Sequence, residues 1–290
     1  MSTLFKTIAL IGKNAGREMD EVLSHLAGFL RQKGHTVLVG YNTTAPLDSH
    51  DLTAVALREI VEQADLGVVM GGDGTMLSIA RKLAVYSVPL VGINLGNLGF
   101  LTDVTTEDMI DSLSDILNGE FIEEERLLLK TTILRHNKTV FNSLALNDVV
   151  INKGVTGRLI EFGLHIDGEF VYNQRSDGLV IATPTGSTAY ALSAGGPILH
   201  PGLEAFVLVP ICPHTLSARP IAVNSHAMVE FELIYADDAT AHFDGQKHCK
   251  IHTGDVVQVT QSSTPVKLLH PKQYSYYRTL REKLYWGKIL

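Results

Sequence analysis

Residues 1–120 alternate between short apolar runs and amphipathic stretches, and this alternation leaves few folds open. Runs of β-type residues stand at 7–11, 36–39, 66–70 and 89–93. Between them, 17–33 carries Met19, Val22, Leu23, Leu26, Phe29 and Leu30 on one helical face, and 52–63, 76–86 and 105–117 read as further helices. Gly34 follows the first helix at the place where a C-cap needs positive φ. Thr105 is placed to cap the last of these helices, with Asp108 in a capping-box position and Gly119 as its end. Strands joined by helices through short connections predict a mainly parallel sheet covered on both faces.

After Gly119 the texture changes. Short strands are expected at 127–134, 139–144, 148–151, 160–166, 179–183, 227–235 and 255–260, with Asp167-Gly168 and Asp244-Gly245 as hairpin turns. The tail at 273–286 reads as helical. The fold expected is therefore an α/β N-terminal domain over 1–120, a β-rich domain over 121–270, and a tail over 271–290 packing back on the N-terminal domain. A chain of 290 residues with 45% hydrophobic and 19% charged residues can bury cores of that size. Its net charge of −7 argues against broad binding to nucleic acid or anionic membrane, while leaving room for a local phosphate site. The two cysteines, Cys212 and Cys249, suggest no disulfide framework. The apolar run at 8–11 is too short for a secretion signal, and no run approaches the ~18 residues of a membrane span. A cytoplasmic protein is expected.

The third strand runs into Gly71-Gly72-Asp73-Gly74-Thr75 and then into a helix. In an open α/β sheet, ligands sit at the carboxyl ends of the strands, and glycines there admit a phosphate close to the backbone. Asp73 suits no simple anion site, because its charge repels phosphate. It suits a group that takes a proton from an attacking hydroxyl or helps to hold Mg²⁺. Taken alone, the segment is equally well a plain tight turn. A Walker lysine pattern and a protein-kinase catalytic loop are both missing, and Leu77 stands where a dinucleotide fingerprint has its third glycine.

Two further segments concentrate polar groups. Residues 175–197 are rich in small hydroxylated side chains around Thr183-Pro184-Thr185-Gly186-Ser187-Thr188-Ala189-Tyr190. They are either a ligand-binding turn or a structural one. Asn147-Asp148 lies within an apolar run, where polar groups need partners from the protein or a ligand.

In their order and spacing, Gly71 to Thr75, Asn147-Asp148 and Thr183 to Tyr190 resemble the motifs of the NAD kinase family, bacterial type. The likeness extends to Asn97-Leu98-Gly99-Phe100 and to the segment from Pro213 to Pro220. The resemblance implies ATP-dependent phosphorylation of the 2′-hydroxyl on the adenosine ribose of NAD, with a divalent metal, magnesium, and no protein metal ligands assigned. It makes Asp73 the proton acceptor. Gly71, Gly72, Gly74, Thr75 and Phe100 fall beside it in the nucleotide site. Asn147 and Asp148 hold the dinucleotide, with Asp148 where the family more often has Glu. Asp177 reads the nicotinamide amide, and Thr188, Ala189, Tyr190, Ala191, Leu192 and Ser193 line the NAD pocket. Arg158, Arg175 and Gln246 are matched as further contacts. A homo-oligomer, dimer or tetramer, is implied.

Two rivals remain at this point. A lipid or sugar kinase shares the glycine turn but leaves the segment from Thr183 to Tyr190 unexplained, and a non-catalytic NAD-binding regulator would tolerate loss of Asp73. His242, His248 and His252 match no compact zinc spacing. Tyr274, Tyr276, Tyr277, Tyr285 and Trp286 are expected to pack against the protein rather than stack on bases.

Overall fold

The computed structural model describes residues 4–13, 17–41, 56–96, 99–154 and 157–287. Asn97, Leu98 and the first part of the helix expected over 52–63 lie outside them. The chain divides into two compact units, Met1–Glu125 with Val266–Leu290, and Arg126–Pro265.

In chain order the first unit contains β1 (Thr7–Gly12), α1 (Arg17–Gln32), β2 (Thr36–Tyr41), α2 (Leu57–Gln63), β3 (Leu66–Met70), α3 (Asp73–Leu83), β4 (Leu90–Asn94), β5 (Val104–Thr105), α4 (Met109–Leu117) and β6 (Phe121–Arg126). The second unit runs from β7 (Leu129–Arg135) through β8 (Lys138–Ala145), β9 (Asp148–Lys153), β10 (Ile160–Ile166), β11 (Glu169–Ser176) and β12 (Gly178–Ala182) to the short α5 (Tyr190–Ser193). It continues with β13 (Ala205–Ile211), β14 (Ile221–Asn224), β15 (Val229–Tyr235), β16 (Ala239–Phe243), β17 (Lys247–Ile251) and β18 (Val256–Gln261). The chain then returns to the first unit as β19 (Val266–Pro271) and α6 (Tyr276–Leu284).

The first sheet has the order β2-β1-β3-β4-β19-β6, with β5 beside β4. The pairs β1–β2, β1–β3, β3–β4, β4–β5 and β4–β19 are parallel. All of β3 and β4 is buried, as a strand covered on both faces must be. Val68 and Met70 join a core with Leu23 of α1 and Leu113 of α4, whereas Gly67 faces Leu83 of α3. The second unit is a sandwich of two six-stranded sheets, β11-β10-β15-β18-β7-β8 and β14-β13-β12-β9-β16-β17. Alternate residues of both sheets, among them Ile133, Phe162, Phe231, Leu179, Leu208 and Phe243, form one buried core.

Several local expectations need adjustment. The helix expected from Met76 starts at Asp73, because Gly72 takes the extended N-cap conformation. The helix expected from Thr105 starts at Met109. Thr105 belongs to β5, yet its Oγ1 still accepts from the Asp108 amide (3.2 Å) and donates to Asp108 Oδ2 (2.8 Å). The tail helix is Tyr276–Leu284, capped by Ser275, and it buries Tyr276, Thr279 and Leu280. The return to the first unit begins before the boundary expected at 270, because Leu268 and Leu269 are strand residues of the first sheet. Among the described residues, no helix is long and apolar enough to cross a membrane.

Candidate active site

In the first unit the chemistry gathers at the carboxyl end of β3. The Gly71 amide donates to the Ile93 carbonyl (2.9 Å), which ties the turn to β4. Gly71 has φ +155°, and a β-carbon there would lie 2.6 Å from Thr75 Oγ1. Asp73 opens α3, where its charge also complements the positive end of the helix dipole. Its carboxylate accepts from the amides of Phe100 (2.9 Å) and Leu101 (3.0 Å) and from the Thr102 hydroxyl (3.3 Å). Thr102 in turn accepts from Asn94 Nδ2 (2.8 Å), and Asn94 Oδ1 accepts from the Gly96 amide (2.7 Å).

The loop over 99–102 can come this close only because Gly99 within it and Gly92 in β4 carry no side chain. A β-carbon on Gly99 would collide with Asp73 Oδ1, and one on Gly92 would lie 2.5 Å from the Leu101 carbonyl oxygen. A carboxylate offers about four acceptor positions. Three are filled here, which leaves capacity for a substrate hydroxyl. Phe100 serves this arrangement through its backbone amide. Asn94 and Thr102 were not singled out from the sequence, since nothing local marks a buried Asn or Thr as the support of a carboxylate.

In the second unit a cavity of about 340 Å³ is bordered by Asn147, Asp148, Ala189, Tyr190, His242 and Asp244. Asp244 organises its floor. Its carboxylate accepts three consecutive amides, from Leu146 (3.0 Å), Asn147 (2.8 Å) and Asp148 (3.1 Å), and its own amide donates to the Asp148 carbonyl (3.0 Å). The other side of this strand start is held by Thr183, whose amide donates to the Asn147 carbonyl (2.9 Å) and whose hydroxyl donates to that of Leu146 (2.5 Å). A β-carbon on Gly186 would collide with the Asn147 carbonyl oxygen. Asn147 is thus committed through its backbone.

Asp148 is only 5% exposed. Burial, and then the charge of Asp244, push its carboxyl up to about 7. Near neutral pH it therefore exists both as a donor and as a pure acceptor. Burial, and then His248, hold the His242 imidazole below its ordinary value, so it is neutral there.

The hydroxyl-rich turn is largely occupied with itself. Ser187 Oγ donates to the Pro184 carbonyl (2.6 Å) and accepts from the Leu199 amide (2.9 Å). Thr185 Oγ1 accepts from Arg126 Nη1 (3.3 Å), and Thr188 Oγ1 donates to the Thr185 carbonyl (3.2 Å). Buried hydroxyls must be paired, and the carbonyls of a tight turn are the nearest acceptors.

Of the remaining expected contacts, Ala189 and Tyr190 reach the cavity, whereas Ala191 is fully buried against Val180 and Val207. Leu192 is half-buried and Ser193 is exposed at the end of α5. Asp177 pairs with Lys153 (2.7 Å), and Arg158 with Asp237 (3.2 Å). Arg175 borders a separate cavity of about 460 Å³ with Gln174, His214 and Arg219. Gln246 is exposed in the β16–β17 turn. From the sequence Asp244 is a turn residue, and His242 a surface or hydrogen-bonded histidine. Among the described residues, no group of three His, Cys, Asp or Glu side chains could hold a metal ion.

Comparison with known proteins bears on both units. Residues 8–121 match the family model described as the ATP-NAD kinase N-terminal domain, and residues 146–271 match the ATP-NAD kinase C-terminal domain. The NAD kinase of Thiobacillus denitrificans is 54% identical over 290 residues, covering the whole of both chains. That of Azoarcus sp. is 51% identical over 290 residues, covering all of this chain and 99% of the relative. A solved NAD kinase from Archaeoglobus fulgidus in complex with ATP superposes with a TM-score of 0.73 at 28% identity, covering 94% of this chain and 96% of that one. Yeast NADH kinase complexed with NADH shares the fold, with a TM-score of 0.86 at 23% identity over 98% of this chain and 89% of that one. With both domain models matched in order and relatives more than half identical from end to end, the chain belongs to the NAD kinase family.

Proposed function

We propose a residue-level reading of ATP-dependent NAD phosphorylation in this chain. Asp73 accepts the proton of the adenosine ribose 2′-hydroxyl as that oxygen attacks the γ-phosphorus of ATP. The bond from the γ-phosphorus to the β–γ bridging oxygen breaks, and ADP and NADP result. The observation that carries this reading is the Asp73 carboxylate itself. It is pinned by three donors at a helix N-terminus with acceptor capacity to spare. Gly71, Gly72, Gly74 and Thr75 shape the phosphate-facing turn beside it. Asn147 and Asp148 hold the dinucleotide through its ribose, Asp177 reads the nicotinamide amide, and Ala189 and Tyr190, from the segment Thr188 to Ser193, border the pocket. Arg158, Arg175 and Gln246 contribute polar contacts to the same substrate.

Magnesium belongs to this reading as the companion of the triphosphate, and the protein's part is to position and orient. The same reading gives a cytoplasmic protein and a homo-oligomer, whose mass light scattering on the purified protein tests. A lipid or sugar kinase is not favoured by relatives that are NAD kinases along their whole length. A regulator without catalysis would tolerate loss of Asp73.

The deciding experiment supplies the purified protein with NAD, ATP and Mg²⁺ and assays NADP. Asp73→Asn is expected to bind NAD and turn over at least ~100-fold more slowly, the usual scale for a general base. Near-normal turnover in that variant would remove Asp73 from the role.

A further inference from the structure

His270 lies in β19, is 1% exposed, and takes no part in the chemistry above. Its Nδ1 is 3.0 Å from Asp103 Oδ2, and its Nε2 is 3.2 Å from Glu124 Oε2 of β6. The ring stacks on Tyr274, with centroids 3.9 Å apart and planes 10° from parallel. Each ring nitrogen thus faces one carboxylate, and a carboxylate drawn out of water needs such a polar partner. The need is greatest at Asp103, whose Oδ1 is buried without a hydrogen-bond partner among the described residues.

Asp103 directly follows the three residues whose donors hold Asp73, namely Phe100, Leu101 and Thr102. The start of that loop is closed by the Gly99 amide on the Thr102 carbonyl (3.0 Å), and its middle by Asn94 on Thr102. Its far end is fastened by His270. We propose that His270, acting through Asp103, is a positioning residue that fixes the loop presenting donors to Asp73. The inference rests on the reading of Asp73 as proton acceptor. It gives the returning strand β19 a part in catalysis as well as in the sheet.

His270→Phe retains the stack on Tyr274 and removes both carboxylate contacts, whereas His270→Gln retains a donor towards Asp103. Asp103→Asn weakens the same link from the other side, and Asp73→Asn serves as control. For each variant the measurements are kcat, the KM values for NAD and ATP, the thermal midpoint, and hydrogen exchange of the peptide spanning 99–103.

In His270→Phe, kcat is expected to fall ~10- to 100-fold, the scale of a misplaced reacting group, with both KM values within about 2-fold of the parent. Exchange at Phe100 and Leu101 should quicken while the amides of β1 stay protected. His270→Gln should recover most of kcat. The His270→Phe/Asp103→Asn double variant should be no slower than the worse single one, since both break one link. Should the Phe variant not fold, the Gln and Asn variants carry the test through the same readouts.

Folded variants with unchanged kcat and unchanged exchange over 99–103 would overturn the proposal. So would strictly additive losses, or losses confined to the thermal midpoint. Normal turnover in Asp73→Asn is a different result, which overturns the proton-acceptor reading itself.

Discussion

Asp73 and Asp148 are both carboxylic acids, and their surroundings assign them different work. Asp73 meets two amides and a hydroxyl, so its position is set by donors. Gly99 permits this by having no side chain. Gly99→Ala strikes the ends of two side chains, the Asp73 carboxylate and the Thr102 hydroxyl, and no backbone atom, so it should leave the fold intact but displace the carboxylate. We expect kcat to fall on the order of 100-fold with the melting temperature little changed, read by steady-state kinetics beside a thermal melt. Asp148 meets burial and the charge of Asp244 instead. Its carboxyl stands at about 7 in the folded protein against an ordinary 3.8. Below about pH 4 both folded and unfolded chains keep this group protonated, so it does not affect stability. Between about 4 and 7 the unfolded chain ionises first, so stability falls as pH rises, and above 7 the whole penalty stands. Asp148→Asn should therefore gain stability over the parent at pH 8, on the order of a few kcal/mol at about 1.4 kcal/mol per pK unit, and gain none at pH 4. Urea unfolding of both proteins at the two pH values measures it, and equal gains at both would contradict the assignment.

At the scale of elements, a turn that looks local carries a distant duty. Asp167-Gly168 and Asp244-Gly245 were legible as hairpin turns because both residues of each can take positive φ, and they do, at 52° and 79° and at 51° and 62°. The sequence does not mark that the Asp244 side chain caps three amides 96 to 98 residues away. Asp244→Asn leaves one acceptor oxygen and turns an NH₂ towards an amide. Hydrogen bonds to a charged group contribute about 1.5–3 kcal/mol each. We expect KM for NAD to rise about 10-fold or more with a smaller change in kcat, measured by NAD titration at saturating ATP. An equal fall in kcat alone would contradict the role. The same contrast governs the strands. The segments at 66–70 and 160–166 were visible because burial writes an apolar run or an alternation into the sequence. β11, β14 and β17 were not, since each is the edge of its sheet and is largely solvent-exposed, and an edge needs little apolar patterning. β13 is apolar and central, but Pro210 breaks the pattern expected of an inner strand. The glycine turn was legible as a strand end entering a helix, whereas its support by Asn94 and Thr102 was not, because buried polar pairing depends on where the loop folds back.

At the scale of the whole molecule, the sandwich is an insertion in the first unit, whose sheet is completed only by the last segment of the chain. β19 lies between β4 and β6 and brings Val266, Leu268 and Leu269, each 1% exposed, into the interior. It also carries His270, which meets Asp103 from the loop before β5 and Glu124 from the neighbouring β6. Deleting a buried Leu side chain costs roughly 2–5 kcal/mol. Losing two of them with a Val, the His270 contacts and two strand pairings is comparable with the whole ~5–15 kcal/mol that holds an ordinary domain together. The sandwich has a core of its own drawn entirely from residues between Leu129 and Val259. A chain ended after Pro265 should therefore lose the first unit and keep the second. In hydrogen exchange, the amides of β1 and β3 should exchange as in an unfolded chain while those of β12 and β15 stay protected. NADP formation should vanish even though every residue proposed to contact substrate is still present. If β1 and β3 remained protected in that chain, the first unit would not depend on its returning strand, and the link from β19 to the Asp73 loop would lose its structural basis as well.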